Sequence, residues 1–378
     1  MSRPVILQVL PALETGGVER GTVEITEAIA QAGFAALVVS AGGRMVSEVE
    51  RAGGRHVALP LRARNPAGIL ANARRLARLI AAEGVDIVHA RSRAPAWSAW
   101  LACRHTGAHF VTTYHGAYGE ELPFKRAYNS IMARGERVIV ASRFIAELVQ
   151  RRHGVKPARI RLIPRGVDPA RFDPSIVATE RVARLRAAWG IPDGAQLVVL
   201  PGRLTRWKGQ GVLIEAAARL PCSVHVVLAG SDQGRRAYSA ELRAQAARLE
   251  IAERVHLVGE CRDMPAALLL ADVVVHASTA PEAFGRVVIE AQAMERPVIA
   301  ADLGGPAETV DQGTTGWRVP HADAAALAQA IAKVLTMPEA ARRAIGQAAR
   351  RAVLAGFTTE SMQRATIAVY REILAASR

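Results

Sequence analysis

The segment Pro281–Met294 combines two acids and a glycine in a pattern that suggests ligand chemistry. Glu282 and Gly285 lie in its leading loop, and Glu290 stands among Val287, Val288, Ile289 and Ala291 in the helical stretch that follows. A helix this apolar is expected to be buried, and a buried carboxylate is seldom left without a partner or a task. Ionised carboxylates only accept hydrogen bonds, which suits them to hydroxyl groups. Gly285 permits close backbone approach, and the first-turn amides of Val287 and Val288 are expected to be open to an anion such as a phosphate. The alternative for Glu290 is an i,i+4 ion pair with Arg286 on an exposed face, a contact of about 0.2–0.5 kcal/mol.

A second candidate is Arg203 with Lys208, in the run Pro201-Gly202-Arg203-Leu204-Thr205-Arg206-Trp207-Lys208-Gly209. These cations follow a strand-like run and enter a helical one, where free amides and the helix dipole already favour an anion. Together they make either a diphosphate clamp or two solvated surface charges. The spacing is neither a P-loop nor a dinucleotide fingerprint. His115, at a strand end before Gly116, either polarises a reacting group or is structural. Gly16-Gly17 either brings backbone close to a ligand or makes an ordinary turn, and Ser142-Arg143 carries the same ambiguity.

The elements that must position these residues follow from the hydrophobic pattern. Short apolar runs alternate with longer amphipathic segments along the whole chain, which predicts βαβ units and parallel sheets. Strands are expected at Val5–Leu10, Ala35–Ser40, His56–Leu61, Val85–His89, Phe110–Tyr114, Val138–Ala141 and Ile160–Pro164. After a hinge of irregular polar sequence containing Pro169 and Pro174, they resume at Leu197–Leu200, Val224–Ala229, Val255–Val258, Val273–His276 and Val298–Ala300. The loop at Gly304-Gly305 is expected to lead into a helix through Val310. Three helices end the chain, and the last is expected to return to the first domain. The expected domains are 1–168, 169–355 and a terminal segment 356–378. In doubly wound sheets ligands bind beyond the carboxyl ends of the strands, so these loops should converge on a cleft between the domains.

The 378 residues suit two ordinary domains, and half of them are hydrophobic, which excludes a disordered chain. Met-Ser-Arg-Pro passes directly into an apolar run without a cleavage-site pattern, and no apolar run is long enough for a bilayer span. A cytoplasmic location is expected. Cys103, Cys222 and Cys261 have neither metal-like nor redox-like spacing, and no structural zinc is expected. Residues 1–168 carry 24 Lys and Arg against 13 Asp and Glu, so most of the net +15 lies in the first half. Such a surface favours anionic partners. An Arg-rich composition, with four Lys among the 49 basic residues, accounts for the same excess without any partner. The interleaved aromatics of single-strand binders are missing, which argues against nucleic acid.

With both loops located, the chain resembles the retaining nucleotide-sugar glycosyltransferases of family 4, of the GT-B fold. The resemblance runs nearly the whole length. It rests on Glu282 and Glu290 as a Glu-x7-Glu motif containing Phe284-Gly285, on Gly202-Arg203-Leu204 with Lys208-Gly209, and on Gly16-Gly17-Val18-Glu19-Arg20. It implies an α/β protein of two facing, Rossmann-like, doubly wound domains, the first for acceptor and the second for donor. By position, Arg203 and Lys208 would bind the donor diphosphate, Glu290 the ribose hydroxyls, and Glu282 the transferred sugar, helped by the amides of Phe284 and Gly285. Val287 and Val288 would cap the diphosphate, Arg262 would lie near the base, His115 near the reacting sugar, and Gly16 and Gly17 at the diphosphate from the first domain. The donor would be UDP- or GDP-linked, with no metal and no further cofactor. Retention without a protein nucleophile would imply front-face displacement, with the leaving phosphate oxygen helping to deprotonate the acceptor hydroxyl. Two positions depart from the pattern: Pro164-Arg165-Gly166-Val167-Asp168 carries Arg165 where the family has Asn, and Arg286 is bulkier and more polar than expected.

The acceptor expected from this is a growing envelope glycan or glycolipid, lipopolysaccharide core foremost, with a soluble sugar phosphate or a non-catalytic anion-binding protein as alternatives. Arg62, Arg64, Arg74, Arg75 and Arg78, then Lys125 and Arg126 beside Phe124 and Tyr128, would rest on the anionic inner face of the cytoplasmic membrane. Otherwise they form a solvated face.

Overall fold

The computed structural model describes residues 3–120 and 123–376. The chain divides into two compact units, Met1–Pro164 with Thr359–Arg378, and Arg165–Thr358.

The first unit is built on seven parallel strands: β1 (Val5–Val9), β2 (Ala35–Ser40), β3 (Arg55–Ala58), β4 (Ile87–Ala90), β5 (His109–Tyr114), β6 (Arg137–Val140) and β7 (Ile160–Leu162). Their order is β3-β2-β1-β4-β5-β6-β7. The central strands read as continuous apolar runs because helices cover both faces of a parallel sheet, and β4 is buried at every position. The crossover helices are delimited locally. In helix Pro66–Glu83, the Asn65 side chain accepts from the Gly68 amide at 2.7 Å, proline occupies the first position, and left-handed Gly84 ends the helix.

The last helix, Thr359–Ala376, belongs to this unit, and residues 377–378 of the expected terminal segment lie outside the described part. Its apolar stripe places Met362, Ile367, Val369, Tyr370 and Ile373 in one core with Ile6, Ile25 and Ile29. Each such aliphatic side chain contributes roughly 1.5–3 kcal/mol of burial. Polar contacts set its register. The Tyr370 hydroxyl meets His89 Nδ1 at 2.6 Å, and Glu372 takes Arg137 Nη2 at 2.7 Å and Arg161 Nε at 3.0 Å. Hydrogen bonds from Arg161 and then Arg137 pull the Glu372 pKa from 4.5 to about 2. This stabilisation is complete above the ordinary value and is lost as pH falls through about 2. The carboxylate is partly exposed and therefore screened, so Glu372→Gln should cost about 1 kcal/mol at pH 7, a few degrees of melting temperature. Thermal melts from pH 7 down to pH 2 should show the two proteins converging on acidification.

The second unit holds six parallel strands: β8 (Gln196–Pro201), β9 (Val224–Ala229), β10 (Val255–Gly259), β11 (Val273–His276), β12 (Val298–Ala301) and β13 (Trp317–Val319), in the order β10-β9-β8-β11-β12-β13. Three features depart from the sequence-based expectation. Strand β13 was not anticipated: it has only three residues, and pairing Trp317 with Ile299 and Val319 with Ala301 is what makes it a strand. The supposed hinge contains helix Thr179–Ala188, which has no fully buried residue and hence no apolar stripe to reveal it. It is tied by Arg181, whose guanidinium holds Asp263 at 2.7 and 3.0 Å. Finally, the helix expected to run through Val310 is a single 3-10 segment, Gly305–Thr309.

The passages between units fall at Pro164 and Thr358 rather than at 168 and 355. Val167 is buried in the second unit and donates to Phe357 O at 2.9 Å, which draws the expected exit turn into that unit. Among the described residues no helix is long and apolar enough to cross a membrane.

Candidate functional site

In the second sheet the winding reverses between β8 and β11, the two neighbouring strands from which the chain departs in opposite directions. Loops leaving the carboxyl ends of such a pair diverge and leave a crevice. Arg203 and Lys208 lie in the loop after β8, and Glu282 and Gly285 in the loop after β11.

Backbone contacts bring the two loops together. Gly209 has φ 74°, and a Cβ there would stand 1.9 Å from Ala277 O, so only glycine lets the β8 loop lie against the end of β11. The Thr279 amide donates to Trp207 O at 2.8 Å across the same seam. As a result Lys208 Nζ reaches Glu282 Oε1 at 2.6 Å, with both side chains 13% exposed. Lys208 also sits over the Trp207 ring, 4.7 Å from its centre.

Two residues absent from the sequence-based site complete this cluster. His276, the last residue of β11, donates from Nε2 to the same Glu282 oxygen at 2.7 Å, and the Ser278 hydroxyl donates there as well. His276 Nδ1 is buried without a hydrogen-bond partner among the described residues. The available signal was modest: two polar residues at the end of an otherwise Val-rich strand, four and six positions before Glu282.

Glu282 is thus an acid gripped by one oxygen. Burial by itself would raise its pKa, but His276 and Lys208 together outweigh burial and hold it well below the usual carboxylate range. Oε1 is saturated by three donors, whereas Oε2 makes no hydrogen bond among the described residues. An ionised, immobilised carboxylate with one open oxygen is equipped to accept from a ligand hydroxyl.

The helix start behaves differently from the expectation. Gly285, at φ 77°, precedes helix Arg286–Ala293, and a Cβ there would strike the Pro306 ring at 2.6 Å. Val288 was expected to offer a free amide. Instead its N–H donates to Gly285 O at 3.0 Å, closing the first turn, and its side chain is buried. Val287 makes no backbone donation among the described residues and remains available to an anion. Glu290 does pair with Arg286, at 3.6 Å, but the two side chains are only 16% and 18% exposed, so the pair is sheltered rather than solvated. Phe284 is buried, its ring against that of Phe357.

The remaining candidates are spread more widely. Arg203 is exposed, with no ion pair among the described residues, and its carbonyl anchors Gln210 at 2.9 Å. Arg262 is exposed after edge strand β10, separated from β8 by β9. Gly16, Gly17 and His115 belong to the first unit, at the carboxyl ends of β1 and β5. Ser142 serves as a helix cap, accepting from the Ile145 amide at 3.2 Å.

Comparison with known proteins bears on the family and the fold. The family description Glycosyltransferase Family 4 matches residues 15–171, and Glycosyl transferases group 1 matches residues 182–352. The D-inositol 3-phosphate glycosyltransferase of Xylanimonas cellulosilytica is 31% identical over 303 residues, covering 76% of this chain and 72% of its own. A glycosyltransferase from Rickettsia africae ESF-5 has a crystal structure that superposes with a TM-score of 0.91 at 35% identity, covering 99% of both chains. Sucrose-phosphate synthase from Thermosynechococcus elongatus superposes at 0.84 with 26% identity, over 99% of this chain and 100% of its own. Two Rossmann-like sheets, a terminal helix returned to the first of them, and both family matches laid end to end along the sequence make the chain a family 4 glycosyltransferase of the GT-B fold.

Proposed function

We propose that the chain transfers a hexose-type sugar, with retention at the anomeric carbon, from a UDP- or GDP-linked donor to a hydroxyl of a phosphate-bearing acceptor. The observation that carries this reading is Glu282 held ionised by Lys208 and His276, with its second oxygen open. Glu282 takes sugar hydroxyls through Oε2, and Glu290 takes the ribose. Lys208, Arg203 and the Val287 amide face the diphosphate, with Arg262 towards the base. In the reaction the donor C1–O bond breaks, a bond from C1 to the acceptor oxygen forms, and the acceptor proton passes to the departing phosphate oxygen. Fixed cations beside the leaving group stabilise the charge that develops there, so no metal is needed.

Within this class the acceptor is either an envelope glycan of lipopolysaccharide-core type, met at an anionic membrane, or a soluble sugar phosphate. The membrane reading is supported by exposed Arg74, Arg75 and Arg78 on helix Pro66–Glu83, beside exposed Leu70. The soluble reading is supported by the relatives, which are named for inositol 3-phosphate at 31–32% identity. Product analysis with UDP- and GDP-sugars, offered with lipid-linked and with soluble phosphorylated acceptors, distinguishes the two. Turnover should persist in excess EDTA, and abolition by EDTA with recovery on adding a divalent ion would overturn the metal-free mechanism.

A further inference from the structure

The first unit contains a groove of about 740 Å³ lined by Trp100, Arg126, Arg134, Arg152, His153 and Arg159, together with small residues. Four guanidinium groups thus face one cavity, and among the described residues no carboxylate lines it. Glu120 stands behind, 3.7 Å from Arg152 and 3.6 Å from His153. Among the described residues, one acid stands against four cations.

Arg152 pairs with Glu120, but Arg126, Arg134 and Arg159 have no acidic partner among the described residues, and all four are held in place by other contacts. Arg126 donates to Arg152 O at 2.7 Å, Arg152 to Tyr118 O at 2.6 Å, and Arg159 to Ala133 O at 3.0 Å. Arg134 lies over the Trp97 and Trp100 rings, 5.1 and 4.5 Å from their centres. Carbonyl oxygens and indole faces fix orientation, yet leave the charge in place and part of each five-donor guanidinium unused. Preorganised forks of this kind match phosphate oxygens.

We propose that this groove is an anion-binding site that takes a phosphomonoester or diphosphate group, carried by a soluble phosphorylated compound or by a phospholipid headgroup. It lies within the first unit, on residues separate from those placed at the donor, and it stands or falls independently of the reading above. Phe124, two positions before Arg126 and 67% exposed, is situated to meet an acyl chain if the source is a lipid. His153 is the natural reporter. Burial, more than the nearby Arg126 and Arg152, depresses its pKa against the pull of Glu120, and a bound phosphate would add negative charge and raise it.

The test follows the His153 ring signal by NMR in the full chain carrying Arg203→Ala and Lys208→Ala, so that the second unit does not capture the probe. The signal is assigned by its loss in His153→Gln. Pyrophosphate and monomeric dihexanoylphosphatidic acid, whose headgroup is a phosphomonoester, are titrated separately. A saturable shift with either probe, weakened about ten-fold by Arg126→Gln with Arg134→Gln, is the expected result. The tighter probe then identifies the source. No saturable shift with either probe up to millimolar concentration, or equal affinity in the Arg126→Gln, Arg134→Gln protein, would overturn the proposal.

Discussion

Glu282→Gln is expected to lower kcat/KM by about three orders of magnitude while leaving nucleotide affinity within a few-fold. Glutamine keeps the size and one acceptor oxygen but removes the charge on which Lys208, His276 and Ser278 converge. The open oxygen is then an amide atom that is a weaker acceptor or, in the flipped amide, a donor facing a hydroxyl. A structural cost accompanies the kinetic one. Lys208 is only 13% exposed, and a sheltered cation that loses its counter-ion destabilises on the order of 3 kcal/mol. Two measurements separate these effects: steady-state kinetics well below the melting temperature, and a melt with and without nucleotide. Unchanged kcat/KM in a folded Glu282→Gln protein would sink the assignment of Glu282 to the sugar. Ser278→Ala removes only one of three donors to the same oxygen and should show a far smaller effect in both assays.

For Lys208→Ala the loss in kcat expected from the proposed function is about 100- to 1,000-fold, since that reading has Lys208 stabilise the charge developing on the leaving group. A second signature distinguishes this from simple misfolding. In the wild type, His276 and Lys208 outweigh burial and keep the Glu282 carboxyl well below the usual carboxylate range. Its contribution is present above the unfolded value and is lost only as pH falls through the depressed folded one. With Lys208 removed, burial regains weight and the Glu282 pKa rises. The acid limb of kcat/KM should therefore begin at a higher pH in Lys208→Ala than in the wild type. Profiles from pH 4 to 8 that differ only by a constant factor would show that Lys208 does not set the ionisation of Glu282. Arg203→Ala should not move the acid limb, because the exposed Arg203 makes no hydrogen bond or ion pair with Glu282 among the described residues.

The parts legible in the sequence are those governed by local pattern. Runs such as Leu197–Leu200 and Val273–His276 could only be strands buried on both faces, and the alternation with amphipathic segments required parallel sheets. The apolar stripe on the last helix marked it as a packing element. Where the local pattern is weak, sequence reading failed for a physical reason. Helix Thr179–Ala188 buries no residue fully and rests on an ion pair 82 positions away, and β13 is a strand only because β12 lies beside it. The Val288 amide looked free because a helix start is open by default; whether its first turn closes depends on the left-handed turn at Gly285.

The sequence by itself determined the α/β class, the presence of two domains, and the loops that would carry charge: Arg203 with Lys208 after one strand, Glu282 after another. Only the tertiary structure decided that these loops meet, that His276 and Ser278 join them, and that Lys208 rests on the acid. That contact spans 74 residues. It depends on β8 pairing with β11 and on Gly209 lying against Ala277 O. Strand adjacency and close backbone approach are properties of the packed chain, so a hydrophobic pattern can place each loop at a strand end but cannot say which strand stands next to it.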